Sequence, residues 1–300
     1  WLKSDVNNGK LLYQKYPEVM KYTKQLFIHK IAALVQFQTT PFLVYTFVSL
    51  QAVAFYGNYT IITVKIKQLF ENFLGSTAAG IGNLIAEGNR EKILKIYWEM
   101  MTIRFLIVSV ATFTLYYTLP LFISLWLGPE YLLSDIVLIL VLMIFALDIL
   151  RGTTDQFING HGLFYDIWAP AVEAIIYIVV ALIGGYLWQL EGVLWGNIVS
   201  LLIIVYGWKP YFLFNKGLKI PIWKYWFGVL KLLLLSMISI IILELFNGFI
   251  EWNMDNMDWY KFMLYTIYIG FSLTIMQFVL YYVFTNSMKS LVSRIVHFIL

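Results

Sequence analysis

Ionisable and amide side chains are scarce in this 300-residue chain, so the places where they interrupt apolar runs are where chemistry can reside. One such place is His29-Lys30 followed by Gln36-Phe37-Gln38-Thr39-Thr40-Pro41. Pro41 removes a backbone donor and clashes with the carbonyl one turn back, freeing carbonyls that need polar surroundings. A bent helix lining an aqueous cavity meets that need, and so does a proline kink healed by threonine hydroxyls inside a packed bundle. A second place holds Lys65, Lys67, Gln68, Glu71, Asn72, Ser76 and Asn83. Lys65, Gln68, Asn72, Ser76 and Asn83 fall in one helical stripe. Lys67 and Glu71 are four residues apart and can neutralise each other, which leaves Lys65 without a partner on its own helix. A charge at the bilayer centre costs about 2.5–3.5 kcal/mol, so Lys65 must meet protein or water, or else snorkel to the interface. Asp148 and Arg151, three apart, pair most simply with each other. Glu173, just after Pro170, is a candidate for capping or for binding backbone near the interface. Arg104, Lys231 and Glu244 lie near helix ends and read as snorkelling.

Other chemistries find no residues. The chain has no cysteine, and its three histidines, His29, His161 and His297, are far apart, so neither a metal nor a cofactor is expected. No carboxylate cluster, Ser–His–Asp set or phosphate-cradling glycine loop is present, so the chain does not read as an enzyme. The formal charge of +4 is too small and too scattered for a nucleic-acid partner.

The elements that must position these residues follow from composition. With 61% hydrophobic and 13% charged residues, the chain departs far from the roughly 45–50% and 25% of soluble domains, and its mean hydropathy is +0.76. Stretches of about 20 apolar residues define an all-α polytopic membrane protein. Eight spans are expected, near Leu26–Leu50, Val53–Ile85, Thr102–Trp126, Leu133–Leu150, Ile167–Trp188, Gly192–Trp208, Trp226–Phe249 and Trp259–Phe284. At about 50 Å if wholly helical, the second is longer than a bilayer requires, and its Gly75, Ala79, Gly80 and Gly82 offer a surface for close helix packing.

Alternate loops carry the lysines and arginines. The basic side holds the Lys3–Lys24 segment, Arg90, Lys92, Lys95, Arg151, the four lysines from Lys209 to Lys224, Lys289 and Arg294. The opposite loops lack Lys and Arg, and the last of them holds Glu251, Asp255 and Asp258. Both ends of the chain are therefore expected in the cytoplasm. Trp98, Trp168, Trp208, Trp223 and Trp226 mark the inner interface, and Trp126, Trp188, Trp252 and Trp259 the outer one. The organisation reads as a cytoplasmic segment (1–25), six helices (26–209), a cytoplasmic loop (210–225), a helix pair (226–284) and an amphipathic tail (285–300). In the tail, Leu291, Val292, Ile295 and Ile299 share one face, suited to the inner membrane surface.

Some stretches also carry a family likeness. These are Lys24–Ile31 leading into the polar-broken helix, Val53-Ala54-Phe55-Tyr56-Gly57-Asn58-Tyr59, and Gly75–Glu87. Gly162–Asp166 with Pro170 and Glu173-Ala174-Ile175-Ile176 continues the series, as does Leu190–Ser200. Over roughly Lys21–Gly207 the chain resembles the second half of bacterial polysaccharide (O-antigen) flippases of the multidrug/oligosaccharidyl-lipid/polysaccharide exporter superfamily. The resemblance implies a MATE-like fold of two six-helix lobes around a cavity. This chain would supply the second lobe plus two extra helices, and an N-terminal lobe would be missing from it. It also implies export of undecaprenyl-diphosphate-linked oligosaccharide across the bacterial cytoplasmic (inner) membrane by alternating access, with H+ or Na+ as the expected coupling ion. A diphosphate crossing hydrocarbon needs cations in a wet cavity, which gives the expected substrate-cavity set of Lys65, His29, Lys30, Gln36, Gln38, Asn72 and Glu173, with Pro41 as the helix break. The alternatives are an ion-coupled multidrug or cation antiporter of the same fold, and a membrane glycosyltransferase, which the short outer loops disfavour.

Overall fold

A computed structural model describes residues 15–16, 23, 27, 38–247 and 257–299. Among these the backbone is helical with no strand. The helices are α1 (38–47), α2 (Leu50–Gly75), α3 (Ala78–Ala86), α4 (Arg90–Trp126), α5 (Asp135–Leu150) and α6 (Gly152–Gly160). After them come α7 (Trp168–Ser200), a wide-turned π segment (Leu201–Trp208), α8 (Lys209–Phe212), a second π segment (Leu213–Leu218), α9 (Trp223–Asn247), α10 (Trp259–Phe284) and α11 (Asn286–Ile299). Among the described residues five helical stretches are long and apolar enough to cross a membrane: Arg90–Trp126, Asp135–Gly160, Trp168–Leu218, Trp223–Phe246 and Trp259–Phe284. The chain is a membrane protein whose described part is all-helical.

Helix starts are set by side-chain oxygens that accept orphan backbone N–H groups. Ser49 accepts from Ala52 N at 3.0 Å, Asn89 from Lys92 N at 3.1 Å, Ser134 from Val137 N at 3.3 Å and Asp258 from Lys261 N at 2.8 Å. With 37 residues, α4 extends about 55 Å, well beyond a hydrocarbon core of about 30 Å. It begins a dozen residues before the expected Thr102. The expected span Val53–Ile85 is not one helix but breaks at Ser76–Thr77. There the two hydroxyls take up the carbonyls of Phe73 and Leu74, each at 2.7 Å, in place of helix continuation. After the break α3 turns onto α6, where Gly160 leaves room for Ile85 and Ile81. The expected glycine packing surface is a correction: among the described residues no atom lies within 4 Å of a Cβ built on Gly75, Gly80 or Gly82, and Ile81 and Leu84 are buried instead.

The 51-residue stretch Trp168–Leu218 is two helices. Trp188 (φ −131, ψ 18) and Gln189 (φ 51, ψ −126) reverse the chain in a two-residue turn. The arms then run back along each other with their backbones in contact. A Cβ on Gly184 would lie 2.6 Å from the Gly192 carbonyl oxygen, and one on Gly196 would lie 2.7 Å from Ala181 Cβ. Only glycine permits this approach. From Gln38 the chain is helical through Pro41 to residue 47, and the interruption between α1 and α2 falls at Val48–Ser49. Residues 38–41 of the expected break are helical, with Gln38 and Pro41 exposed, and only Gln36 and Phe37 lie outside the described residues.

Two clusters organise the packing. One, around Leu115, Ile123, Val137, Val141, Tyr177 and Val193, joins α4, α5 and both arms of α7. The other, around Ile93, Tyr97, Phe157, Phe214, Tyr225 and Leu291, gathers the starts of α4 and α9 with α6, the second π segment and α11. The lysines and arginines at 90–95, 216–224, 289 and 294 belong to elements of this second cluster or to the turns that join them. Glu130, Asp135, Glu191 and Asp258 lie in or beside the turns at 128–134, Trp188–Gln189 and the start of α10.

Candidate functional site

Where α5 passes into α6, the sequence places Asp148, Arg151 and Asp155 at spacings of three and four, on one helical face. Neighbouring helices complete a chain of ion pairs through them. Lys67 of α2 lies 2.7 Å from Asp148, and Arg151 lies 3.9 Å from Asp148, 2.9 Å from Asp155 and 3.7 Å from Glu173 of α7. Lys209, at the start of α8, closes the series 2.8 Å from Asp155. Three cations and three carboxylates thus balance across α2, α5, α6, α7 and α8. Arg151 does not simply pair with Asp148 as expected, because its strongest contact is Asp155. Lys67 does not pair with Glu71 either, because Asp148 takes it. Glu173 is buried, 5% exposed, and faces Arg151. Tyr206 bounds the network by donating to the Leu147 carbonyl at 2.6 Å.

Arg104 adjoins this network and corrects the snorkelling expected of it, for it is buried, 2% exposed. Its Nη1 donates to the Ile149 carbonyl at 2.8 Å, at the end of α5 where helix carbonyls lose their own partners. Gly152 makes the room: a Cβ there would lie 2.6 Å from the guanidinium carbon.

The expected cavity residues do not converge on one point. Lys65 is exposed on α2 and donates to Gln68 Oε1 at 3.4 Å. Asn72 and Gln68 are exposed along the same helix, and Gln38 and Pro41 are exposed on α1. Glu173 is buried in the ion-pair network instead. His29, Lys30 and Gln36 lie outside the described residues. α1 is held to α7 by Thr40 and Tyr177, whose hydroxyls are 2.8 Å apart. Tyr177 is four residues beyond Glu173, so α1 lies beside the network's α7 side. Among the described residues no group of three His, Cys, Asp or Glu side chains is placed to hold a metal.

Sequence reasoning missed Asp155 and Lys209 as site residues and misplaced Arg104. The Asp148–Arg151–Asp155 spacing was a usable signal, whereas Lys209 looked like one more loop lysine. What the arrangement can do is hold charge inside the bundle in exchangeable pairs, beside a helix face that exposes Lys65, Gln68 and Asn72. Compared with family models, curated proteins and solved structures, the chain matches none.

Proposed function

We propose that the chain forms the C-terminal part of a flippase that exports undecaprenyl-diphosphate-linked oligosaccharide across a bacterial cytoplasmic membrane. In this reading the chain crosses the membrane eight times with both ends inside, as a MATE-like six-helix lobe plus a helix pair. The observation that carries it is the exposed face of α2. Lys65, Gln68 and Asn72 are exposed there on a 26-residue helix that is long enough to span but is not one of the five apolar stretches, and with α2 placed across the membrane, as this reading requires, a lipid-facing surface does not accommodate such a row. Water or protein must face it, as at the wall of a cavity closed by a second lobe. A cationic, amide-rich wall suits a diphosphate headgroup. The network of Lys67, Asp148, Arg151, Asp155, Glu173 and Lys209 lies behind that wall and can exchange partners as the lobe moves.

The test is export of labelled lipid-linked oligosaccharide in vesicles holding the full-length protein. Lys65→Ala should lower export about tenfold or more, as loss of one charge-assisted contact of about 1.5–3 kcal/mol requires. Lys65→Arg should restore part of it. Unchanged export by Lys65→Ala at equal expression would remove Lys65 from the path. A second reading, an ion-coupled cation antiporter, is favoured by the carboxylates of Asp148, Asp155 and Glu173. It expects organic-cation efflux driven by an ion gradient and insensitive to Lys65→Ala.

A further inference from the structure

We propose that the groove at the turn between the second π segment and α9 binds the phosphodiester headgroup of an anionic phospholipid. The turn is built tightly. Lys219 ends the π segment in a left-handed conformation (φ 54, ψ 47), and Ile220 N returns to the Phe214 carbonyl at 2.9 Å. Lys224 N then bonds the Pro221 carbonyl at 3.2 Å as α9 begins. The folded turn leaves an open groove of about 400 Å³, lined by Tyr211, Asn215, Lys219, Ile220, Pro221 and Ile222. Asn215 Nδ2 donates to the Tyr211 hydroxyl at 3.0 Å, which fixes an amide and a phenol side by side on one wall.

Charge selects the ligand. Residues 209–224 contain four lysines and no acid. Lys209 is spent on Asp155, but Lys216, Lys219 and Lys224 are exposed and make no ion pair among the described residues. The carboxylates nearby on the chain are engaged: Asp155 by Lys209 and Arg151, and Asp166 by the Trp208 indole at 3.3 Å. Lys219 lines the groove, and Lys216 and Lys224 are exposed on the segments that flank it, so the turn is cationic with no carboxylate in the groove's lining.

Depth selects a lipid over a soluble anion. The turn joins two helices that are long and apolar enough to cross a membrane, so it lies at the headgroup level. Tyr211, Trp223 and Trp226 are exposed around it, the placement of interfacial aromatics. Ile220, Pro221 and Ile222 give the groove an apolar side for a glycerol and the first acyl carbons, which a free phosphate would leave wet. The inference does not depend on which cargo the protein carries.

The test is native mass spectrometry of the purified full chain, titrated with phosphatidylglycerol and with phosphatidylcholine. The key variant combines Lys216→Ala, Lys219→Gly and Lys224→Ala, with glycine at 219 because the left-handed backbone there suits it. Preference for phosphatidylglycerol should fall about fivefold for each lysine removed, while the corresponding arginine variants keep it. Asn215→Ala should weaken retention with the net charge unchanged. An undiminished preference in the combined variant, or in Asn215→Ala together with Lys219→Gly, would overturn the site. Displacement of the bound lipid by excess inorganic phosphate would overturn the assignment to a headgroup.

Discussion

Asp155 sits between two cations, and that position sets what its loss should do. Asp155→Asn leaves Lys209, 10% exposed, and Arg151 facing a neutral amide. Stability should drop by about 2–4 kcal/mol, near the lower range for a broken buried pair because Asp155 itself keeps a quarter of its surface. Thermal unfolding in detergent measures the loss, and adding Lys209→Met should recover part of it, since the stranded charge is then gone. Gly152→Ala should displace the Arg104 guanidinium from the Ile149 carbonyl. About 1–3 kcal/mol follows from that lost bond, and wild-type stability in the variant would show that Arg104 is not held there. These two sites also show the limit of reading residues from sequence. The spacing of Asp148, Arg151 and Asp155 is visible in one helix, but Lys67, Glu173 and Lys209 reach it from other helices. Arg104 looks like an interfacial residue because its acceptor, a backbone carbonyl, has no sequence signature.

Among elements, α4 shows how a helix pair is fastened to the rest. Glu99, Thr102, Ser109 and Tyr117 follow one face of α4, and each meets a polar partner. Thr102 shares a 2.6 Å bond with Ser287, and Glu99 accepts from Ser290 at 2.6 Å and pairs with Arg294 at 2.6 Å. Ser109 bonds Gln277, which also donates to Ser236 at 2.8 Å, and Tyr117 bonds Glu244. Polar pairs between membrane helices average near 0.6 kcal/mol each, so the seam acts as several weak clasps. Gln277→Leu should therefore cost only about 1 kcal/mol, measured by unfolding in detergent, unless the neighbouring hydroxyls lose their order together. The turn of α7 offers a gain instead. Gln189 holds φ 51, a conformation that costs a side-chain-bearing residue about 1–2 kcal/mol. Gln189→Gly should raise stability by about 0.5–1 kcal/mol after the added chain entropy of glycine is subtracted, and Gln189→Ala should not. Apolar length made most helices legible, and Trp259–Phe284 falls at the residues expected. The break at Ser76–Thr77 was hidden because two hydroxyls capable of closing a helix are equally at home within one.

For the whole molecule, most of the basic loop residues from Arg90 onward, Lys209 and Lys261 apart, belong to elements around one packing cluster or to the turns that join them. Since the chain has no native cysteine, single cysteines report sidedness without background. Cysteines at Lys216 and Asp258 should label with impermeant maleimide from opposite sides of the membrane, Asp258→Cys from outside. Labelling of both from one side would mean that α9 does not cross the membrane, and exchanged sides would invert the topology. The reversal at Trp188–Gln189 bears on how such a chain is made. Two residues span at most about 7 Å, so there is no hydrophilic length to park at the far face while the second arm is synthesised. The arms also meet backbone to backbone at Gly184 and Gly192, a close approach that favours their pairing. Both arms of α7 are therefore expected to insert as one hairpin, so that biogenesis of this region waits until the second arm has emerged from the ribosome.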